Sequence, residues 1–474
     1  MHYGRLLVRH QTRFRSLTDN QVLDTGKNIK IDMNDLFIKV HKFLPLFAVD
    51  CGAYTALYTP GSTLKIGKIK HHDLIEFLEK PEFAGSSVIR DGFTSMLRCA
   101  EEVSAKWERK KQEDFYPECL TIHVGSDCNL NCSYCYSRKG GEDNKILRGF
   151  PDHNSIITLF RYILKMRADR PGVVTIVFHG SGEPTFHWQK FVNSLRDISE
   201  IARLAGQKIF CYLATNCCLD ERQVDWLADN IDLIGISCDG PQSARQGQHD
   251  IYGKKFLSTE RVCRRIYEKG GKFEIRATVT PDTIMKLKEI TAYFVEECRA
   301  ETIRVEPVFL AGENGFKTGD ADFFFRIFSE AQDYAEIRGT TLGYAGVRME
   351  ELHGAFCDVL RNNLRLTTDD VSRNCFWFMS DNKDYITGSL KRERSSFSLN
   401  PGIREIKEKA AGIPETCNDC INIFHCSRGC PDYCVFRNDA PDFQFLNAFR
   451  CRLHQLFTIE RIKSLTRNQK TIID

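Results

Sequence analysis

The middle of the chain alternates between short apolar runs and stretches with helical periodicity. One helical stretch has Asn154 as its expected N-cap, followed on one face by Ile156, Leu159, Phe160 and Ile163. The six apolar runs are LTIHVG (120–125), VVTIVFHG (173–180), KIFCYLAT (208–215), IDLIGISC (231–238), FEIRATVT (273–280) and TIRVEPVFL (302–310). Apolar runs separated by helices predict parallel strands buried in a helical layer. We therefore expect an α/β fold with a partial or full β/α barrel, whose chemistry lies at the carboxyl ends of the strands.

The segments on either side of this alternating region have different patterns. Near the amino terminus, the run from Leu46 to Tyr58 predicts a pair of strands, Pro60 and Gly61 predict a turn, and the next stretch predicts a helix that ends before Pro81. The carboxyl-terminal part is rich in loops and cysteines. We therefore expect an α+β region over 1–115, a barrel over 116–345 and a cysteine-rich domain over 346–474.

Cysteine content is the feature of the composition that changes this picture. The chain has 66 Lys and Arg against 63 Asp and Glu, and this balance argues against a nucleic-acid-binding protein. We expect neither a secretory signal nor a membrane span, because no apolar run reaches the length of about 18 residues that a span requires. The 20 cysteines include several closely spaced sets. In a long chain without an export signal, such sets indicate metal ligands in a reducing cytoplasm.

The first set of cysteines follows the first predicted strand, in GSDCNLNCSYCYSRKG. Cys128, Cys132 and Cys135 have the spacing C-x3-C-x2-C. Three thiolates on one loop can hold three irons of a [4Fe–4S] cluster and leave the fourth iron open to a small molecule. A zinc site and chance clustering are the alternatives. The strand-end position and the lack of a matching histidine favour the cluster.

This loop resembles the signature of radical S-adenosylmethionine (SAM) enzymes, in which an aromatic residue, here Tyr134, usually precedes the third cysteine. FHGSGEPTF, at the end of the second strand, resembles that family's Gly-Gly-Glu-Pro segment, with Ser181 in place of the first glycine. LATN and ISCDGP, at the ends of the third and fourth strands, resemble two further segments of the SAM pocket. The resemblance implies that SAM is bound by Tyr134, Gly180, Ser181, Gly182, Glu183, Pro184, Asn216, Ser237, Asp239 and Arg276.

The roles implied for these residues differ. Glu183 and nearby backbone groups would face the amine of SAM, Ser237 the ribose, and Arg276 a carboxylate. For Arg276 and Glu306, a salt bridge between strand ends is the alternative. The resemblance also implies a partial (β/α)6 TIM-type barrel. In this family, one electron from the reduced cluster splits SAM, and the resulting 5′-deoxyadenosyl radical abstracts a hydrogen atom from the substrate.

The second constellation is CNDCINIFHCSRGC, with the spacing C-x2-C-x5-C-x3-C. A C-x2-C pair alone is as typical of zinc as of iron. The full spacing resembles the SPASM extension of radical SAM peptide-modifying enzymes, which holds two auxiliary [4Fe–4S] clusters. The resemblance assigns one cluster to an outer set of Cys417, Cys420, Cys426 and Cys451. It assigns the other cluster to an inner set of Cys357, Cys375 and Cys430, with either an open iron or Cys434 as the fourth ligand; a free buried thiol is the alternative for Cys434.

Three functions are consistent with these motifs. The first is modification of a ribosomally made peptide or protein, with a cysteine thioether crosslink as the leading hypothesis. The second is an anaerobic sulfatase maturase that forms formylglycine, but those enzymes carry an aspartate directly after the cysteine matched by Cys375, and Phe376 cannot accept a proton. The third is an iron–sulfur electron carrier, which would not need a SAM pocket.

Peptide modification implies two partners, a precursor peptide or protein substrate and an electron donor of the flavodoxin or ferredoxin type. The amino-terminal region would then either pair a leader peptide with a sheet edge or cap the bottom of the barrel.

Overall fold

The fold is taken from a computed structural model that describes residues 37–61, 65–79, 87–135, 137, 146–170, 172–241, 256–309, 315–375, 383–391, 396–428, 430 and 448–468. These residues form two compact units. The first contains 37–59, 65–79, 87–102 and 462–468, and the second contains the others. Within the described residues, every helix is too short or too polar to cross a membrane.

The first unit is built on a four-stranded antiparallel sheet. Its strands, in sheet order, are β1 (Ile38–Lys39), β2 (Phe47–Asp50), β3 (Thr55–Thr59) and β4 (Lys65–Ile69). The strand pair predicted between Leu46 and Tyr58 is therefore confirmed as β2 and β3. Helix α1 (His71–Glu79) follows the sheet, and α2 (Ser87–Gln112) begins in this unit. Leu46, Leu57 and Phe93 lie in its apolar core.

The second unit contains an eleven-stranded mixed sheet. All six predicted barrel strands are confirmed, as β5 (Cys119–Val124), β6 (Val173–Gly180), β7 (Lys208–Thr215), β8 (Leu233–Ser237), β9 (Phe273–Val279) and β10 (Thr302–Pro307). The sequence patterns missed the remaining strands, which are β11 (Thr341–Tyr344), β12 (Asn363–Leu366), β13 (Val371–Arg373), β14 (Ile386–Lys391) and β15 (Ser396–Leu399).

The order of these strands makes the sheet a partial TIM-type barrel. Strands β5 to β11 lie side by side in sequence order and are parallel, and β12 adds to the free side of β5, also in parallel. Strands β13 to β15 then extend this edge as an antiparallel meander. The carboxyl ends of eight parallel strands therefore open on one side of the sheet, where β/α proteins place their chemistry.

Helices cover one face of this sheet. They are α3 (His153–Met166), α4 (Trp188–Leu204), α5 (Glu221–Asn230), α6 (Thr259–Glu268), α7 (Leu287–Ala292) and α8 (Asp320–Glu336). Two further helices follow in the C-terminal part of the chain, α9 (Ile403–Ala411) and α10 (Ala448–Asn468), and α10 ends in the first unit. The prediction of Asn154 as the N-cap of α3 is wrong. Asp152 has the extended backbone of a cap and accepts a hydrogen bond from the Ser155 N–H at 3.1 Å, so the helix begins at His153.

The two faces of the barrel strands differ in polarity. On β6, Val174, Ile176 and Phe178 are fully buried in the apolar core under the helices. Side chains on the opposite face line a cavity and are mostly polar, as the set Thr121, His179, Tyr212, Arg276 and Arg304 shows. The interior of the barrel is therefore an open cavity with several polar and charged side chains in its lining rather than a second packed core.

Candidate active site

The predicted SAM residues converge on one cavity of about 660 Å³ at the carboxyl ends of the barrel strands. Its lining contains the predicted residues Cys128, Cys132, Tyr134, Cys135, Gly180, Ser181, Gly182, Glu183, Asn216, Ser237, Asp239 and Arg276. Pro184 lies beside it, buried as the first residue of the 3-10 turn Pro184–His187. Loops that are far apart in the sequence therefore meet at one place, as the strand order requires.

The three signature cysteines lie in one half-buried loop. Burial raises the pKa of Cys128 to about 11 and that of Cys132 to about 12, and the neighbouring Cys135 thiol adds to both shifts. The Cys128 sulfur accepts hydrogen bonds from the Leu130 N–H at 3.4 Å and from Asn216 Nδ2 at 3.5 Å. Neutral buried thiols of this kind become stable thiolates when a metal replaces their protons. The chemistry of these three thiols fits a cluster bound by three cysteines. Among the described residues, no three metal-ligating side chains are already arranged around a metal position.

Tyr134 anchors the signature loop to the fourth strand end. Its hydroxyl donates to the carboxylate of Asp239, and the other oxygen of Asp239 accepts the Thr278 N–H at 3.0 Å. The loop after β5 is thereby fixed to the ends of β8 and β9. Tyr134 and Asp239 consequently act as a pair that holds the loop, which the sequence alone did not indicate.

The carboxylate of Glu183 accepts hydrogen bonds from its own loop and from the loop after β7. Its Oε1 accepts from the Thr185 N–H at 2.9 Å and the Thr185 hydroxyl at 2.7 Å, while Oε2 accepts from the Asn216 N–H at 2.7 Å. Burial raises its pKa, and these hydrogen bonds oppose that shift. The side chain therefore ties the second strand end to the third, and a contact with the amine of SAM would add to these bonds.

Two glycines of the same segment allow close approach of backbones. A Cβ on Gly180 would lie 2.3 Å from the Val124 carbonyl oxygen, and one on Gly182 would lie 2.2 Å from the Asp127 carbonyl oxygen. The structure therefore gives Gly180 a steric role. Only glycine lets the loops after β5 and β6 pack this closely.

A buried network that no local sequence pattern reveals supports Ser181. Arg365 donates from Nη1 to His123 Nδ1 at 3.3 Å and from Nε to Asp358 at 2.5 Å. Burial and the nearby Arg365 lower the pKa of His123 far below its usual value, so the ring is neutral. His123 Nε2–H then donates to the Ser181 hydroxyl oxygen, 3.1 Å away. A histidine inside an otherwise apolar strand run was the only sequence signal for this network.

Ser237 and Arg276 are neighbours on adjacent strands and both face the cavity. Burial opposes the charge of Arg276, but Tyr212, Glu274 and Glu306 together raise its pKa. These partners agree with the alternative in which Arg276 pairs with acidic groups at strand ends. Its contact with a carboxylate of SAM stays a prediction.

The inner set of cysteines faces the same cavity as the signature loop. Cys357, Cys375 and Cys430 all belong to its lining. Cys434 and Phe376, on which two sequence arguments depend, lie outside the described residues. The shared lining is a result that the sequence spacing did not predict.

The outer set forms a second group of neighbouring thiols. Burial raises the pKa of Cys426, and Cys420, Cys451 and Cys417 add to the shift. Burial also raises the pKa of Cys451 to about 12, again with help from Cys420 and Cys417. His454 Nδ1 lies 3.0 Å from the Cys426 sulfur. Thiols from two separate segments are therefore close enough to raise one another's pKa.

Buried donors beside both sets lack an acceptor within the described part of the chain. They are Asn374 Nδ2, Asn422 Nδ2, and Nε and Nη2 of Arg428. Each of these residues stands within two positions of a candidate ligand, Cys375, Cys420 or Cys426. Buried donors are normally paired. Sulfides of iron–sulfur clusters would supply the missing acceptors, so these surroundings fit the groups that the spacing implies.

Comparison with known proteins gives one family match and several similar proteins. Residues 122–294 match the radical SAM superfamily. A cysteine-type anaerobic sulfatase-maturating enzyme of Clostridium perfringens is 27% identical over 177 residues, which cover 37% of this chain and 47% of the relative. The chain thus spans about half the length of that curated relative.

Two solved structures are similar to this chain in fold. Native anSMEcpe with bound AdoMet aligns with a TM-score of 0.59 at 19% identity, over 74% of this chain and 99% of that one. Native anSMEcpe with bound AdoMet and Cp18Cys peptide aligns with a TM-score of 0.56 at 20% identity, over 74% and 98%. At these identities, the similarity shows the fold alone.

Proposed function

The chain carries a radical SAM domain, and from this premise we propose that it is an enzyme that modifies a peptide or protein substrate. The observation that carries the proposal is the shared cavity. The signature thiols and the inner set line the same space of about 660 Å³, a size within the range of ~300–1,000 Å³ typical of ligand sites. A substrate side chain in this cavity would contact the SAM-binding residues and the inner set together.

The proposed roles within the cavity follow from its geometry. A reduced [4Fe–4S] cluster held by Cys128, Cys132 and Cys135, with SAM bound to it, would supply a 5′-deoxyadenosyl radical for hydrogen abstraction. Glu183 orders the loops around SAM through its bonds to Thr185 and Asn216. The polar interior holds the substrate, and the surrounding strands keep bulk water from the radical.

We propose a cysteine thioether crosslink as the modification. The inner set offers three thiolates, and a cluster held by three thiolates has an iron that a substrate thiolate can occupy. In this reaction a carbon loses a hydrogen atom to the radical, the thiol loses a proton, and the carbon–sulfur bond forms. The auxiliary clusters would supply the acceptor for the remaining electron. The peptide becomes lighter by two hydrogens.

Formylglycine formation is the second candidate. It is favoured by the 27% identity to a sulfatase-maturating enzyme over 177 residues. It is disfavoured by Phe376, which stands where the sulfatase maturases have an aspartate that can serve as a base.

The two candidates make different products. The reconstituted, reduced enzyme should be incubated with SAM and either a short cysteine-containing peptide encoded beside its gene or a sulfatase-derived peptide. Crosslinking predicts a product two hydrogens lighter whose cysteine no longer reacts with an alkylating agent. Formylglycine formation predicts loss of the sulfur and an aldehyde that reacts with a hydrazide. If SAM is cleaved but neither product forms with either peptide, both candidates are wrong.

The first unit is proposed to bind a leader segment of the substrate. Its four-stranded sheet has β1 and β4 at its edges, and an edge strand can pair with an extended peptide. Deletion of residues 1–85 should then abolish peptide modification and leave uncoupled SAM cleavage intact. Equal loss of both activities would indicate a structural role instead. A flavodoxin or ferredoxin is the proposed electron donor.

A further inference from the structure

Arg428 is a buried cation placed among the C-terminal cysteines. It stands between Cys426 and Cys430 in the sequence and is only 4% exposed. Its backbone has a φ of 58°, in the left-handed region that non-glycine residues rarely adopt. In this conformation its N–H donates to the Cys426 sulfur at 3.2 Å. The backbone therefore fixes the side chain beside a candidate cluster ligand.

The guanidinium group is held on one edge and on one face. Its Nη1 donates to the carbonyl oxygen of Gly412, and its Cζ lies over the ring of Trp107, 5.3 Å from the ring centroid. On the other edge, Nε and Nη2 are buried and have no acceptor within the described residues. Leaving charged donors unpaired in the interior is costly, so this edge is expected to have a partner.

The surroundings of Arg428 indicate which partner that is. The backbone N–H of Arg428 is bonded to the sulfur of Cys426, which belongs to the outer set, and Cys430 of the inner set is only two residues further along the chain. Arg428 therefore lies between candidate ligands of both sets.

We propose that Arg428 donates N–H···S hydrogen bonds to the auxiliary iron–sulfur clusters and raises their reduction potentials. The inference rests on the auxiliary clusters of the proposed function. Hydrogen bonds to cluster sulfurs and nearby positive charge both favour the reduced, more negative state. Arg428 is thus a positioning residue that makes the auxiliary clusters better electron acceptors.

Redox titration of the fully loaded protein, followed by electron paramagnetic resonance (EPR), tests this proposal. Arg428→Gln should lower the midpoint potential of at least one auxiliary cluster at unchanged iron content. Arg428→Lys keeps the charge but loses the planar pair of donors, so it should give a smaller shift in the same direction.

Arg167 provides a matched control. It is 6% exposed, donates from Nη1 to the Pro117 carbonyl oxygen at 3.3 Å, lies over the Tyr116 ring and also has an unpaired Nε. It is therefore held as Arg428 is, but its neighbours are not cluster ligands. Arg167→Gln should leave all potentials unchanged. Unchanged potentials in Arg428→Gln with full iron content would overturn the inference and leave the proposed clusters intact.

A second measurement covers the case in which Arg428→Gln loses iron. A variant that lacks the signature thiols of Cys128, Cys132 and Cys135 would have no signature cluster, so its EPR signal would come from the auxiliary clusters alone. This variant is labelled with ¹⁵N-arginine. Pulsed EPR should then detect coupling to a guanidinium nitrogen. A well-developed auxiliary signal without such coupling would overturn the inference. Absence of any auxiliary signal, with iron near zero in this variant, would overturn the proposed auxiliary clusters together with it.

Discussion

The signature loop and the C-terminal cysteines both gather thiols, but over very different lengths of chain. Cys128, Cys132 and Cys135 fall within eight consecutive residues after β5. The outer set extends from Cys417 to Cys451 and includes a residue of α10. One loop can therefore form its site locally, whereas the C-terminal sets exist only when distant segments have folded together.

The two regions are also expected to have different tasks. In the proposed function, a single short loop would supply three thiolates and leave one iron for SAM. The outer set would supply four thiolates, which is full ligation for a [4Fe–4S] cluster. The reacting iron would then belong to the local loop, and the long-range sets would store electrons.

The largest expected effect is loss of the signature cluster. Cys132→Ala should abolish SAM cleavage, because two thiolates cannot hold a cluster and the cluster carries the difficult step. Iron at the auxiliary sites should remain, since those ligands lie on other segments. Assays of 5′-deoxyadenosine and of iron content measure the two effects.

A matched control is Cys263→Ala. Cys263 is fully buried in the apolar core on α6 and lies outside the cavity lining. This variant should keep its iron and its SAM cleavage. Normal 5′-deoxyadenosine release from Cys132→Ala would contradict the assignment of the signature loop.

The next effect concerns the outer set. Wild-type protein should hold about twelve irons per chain, four for each of three clusters, and Cys420→Ala should lose about four of them. SAM cleavage without substrate should persist, because the signature loop does not use this thiol. A wild-type value near four irons with bound zinc would instead make the C-terminal region a zinc module.

A smaller effect is expected where the barrel and the C-terminal segment join through β5 and β12. The Asp358–Arg365 ion pair is buried, at 5% and 7% side-chain exposure. Asp358→Asn leaves a buried guanidinium without its counter-charge and should lower the free energy of unfolding by about 3–5 kcal/mol. Denaturant unfolding of the metal-free protein measures this change.

The exposed pair Arg404–Glu408 provides the control for this stability prediction. Its side chains are 63% and 52% exposed. Arg404→Gln should change stability by less than about 0.5 kcal/mol. Equal losses in the two variants would mean that the buried pair does not join the two regions as described.

The smallest effect separates the two accounts of the inner set. If the inner cluster has an open iron, Cys434→Ala should keep full iron content and full crosslinking. If Cys434 is the fourth ligand, the same change should lower the iron content or alter the auxiliary EPR signal. Addition of a cysteine-containing peptide to the wild-type enzyme should change that signal only when the iron is open.

The two regions also differ in how well the sequence predicted them. The barrel strands and the signature loop were predictable because apolar runs and short spacings are local patterns. Strands β11 and β12 were missed because each has only four residues. The N-cap of α3 was predicted two positions too late because Asp152 and Asn154 are both residue types that favour the N-cap position.

The other features that the sequence did not predict depend on contacts between residues that are distant in the chain. His123 and Arg365 are 242 positions apart, so no local pattern joins them. The same applies to the shared cavity, where Cys128 and Cys430 lie on one lining. The residue types in the site were predictable, but the way in which the fold combines them was not.

The proposed function depends on a cluster in the signature loop whose open iron binds SAM. Electron–nuclear double resonance of the reduced enzyme, with SAM labelled by ¹⁵N at its amino group, detects this binding. A ¹⁵N coupling should be present in the wild type and absent from Cys132→Ala. A fully developed cluster signal in the wild type without any ¹⁵N coupling at saturating SAM would contradict the proposed binding of SAM.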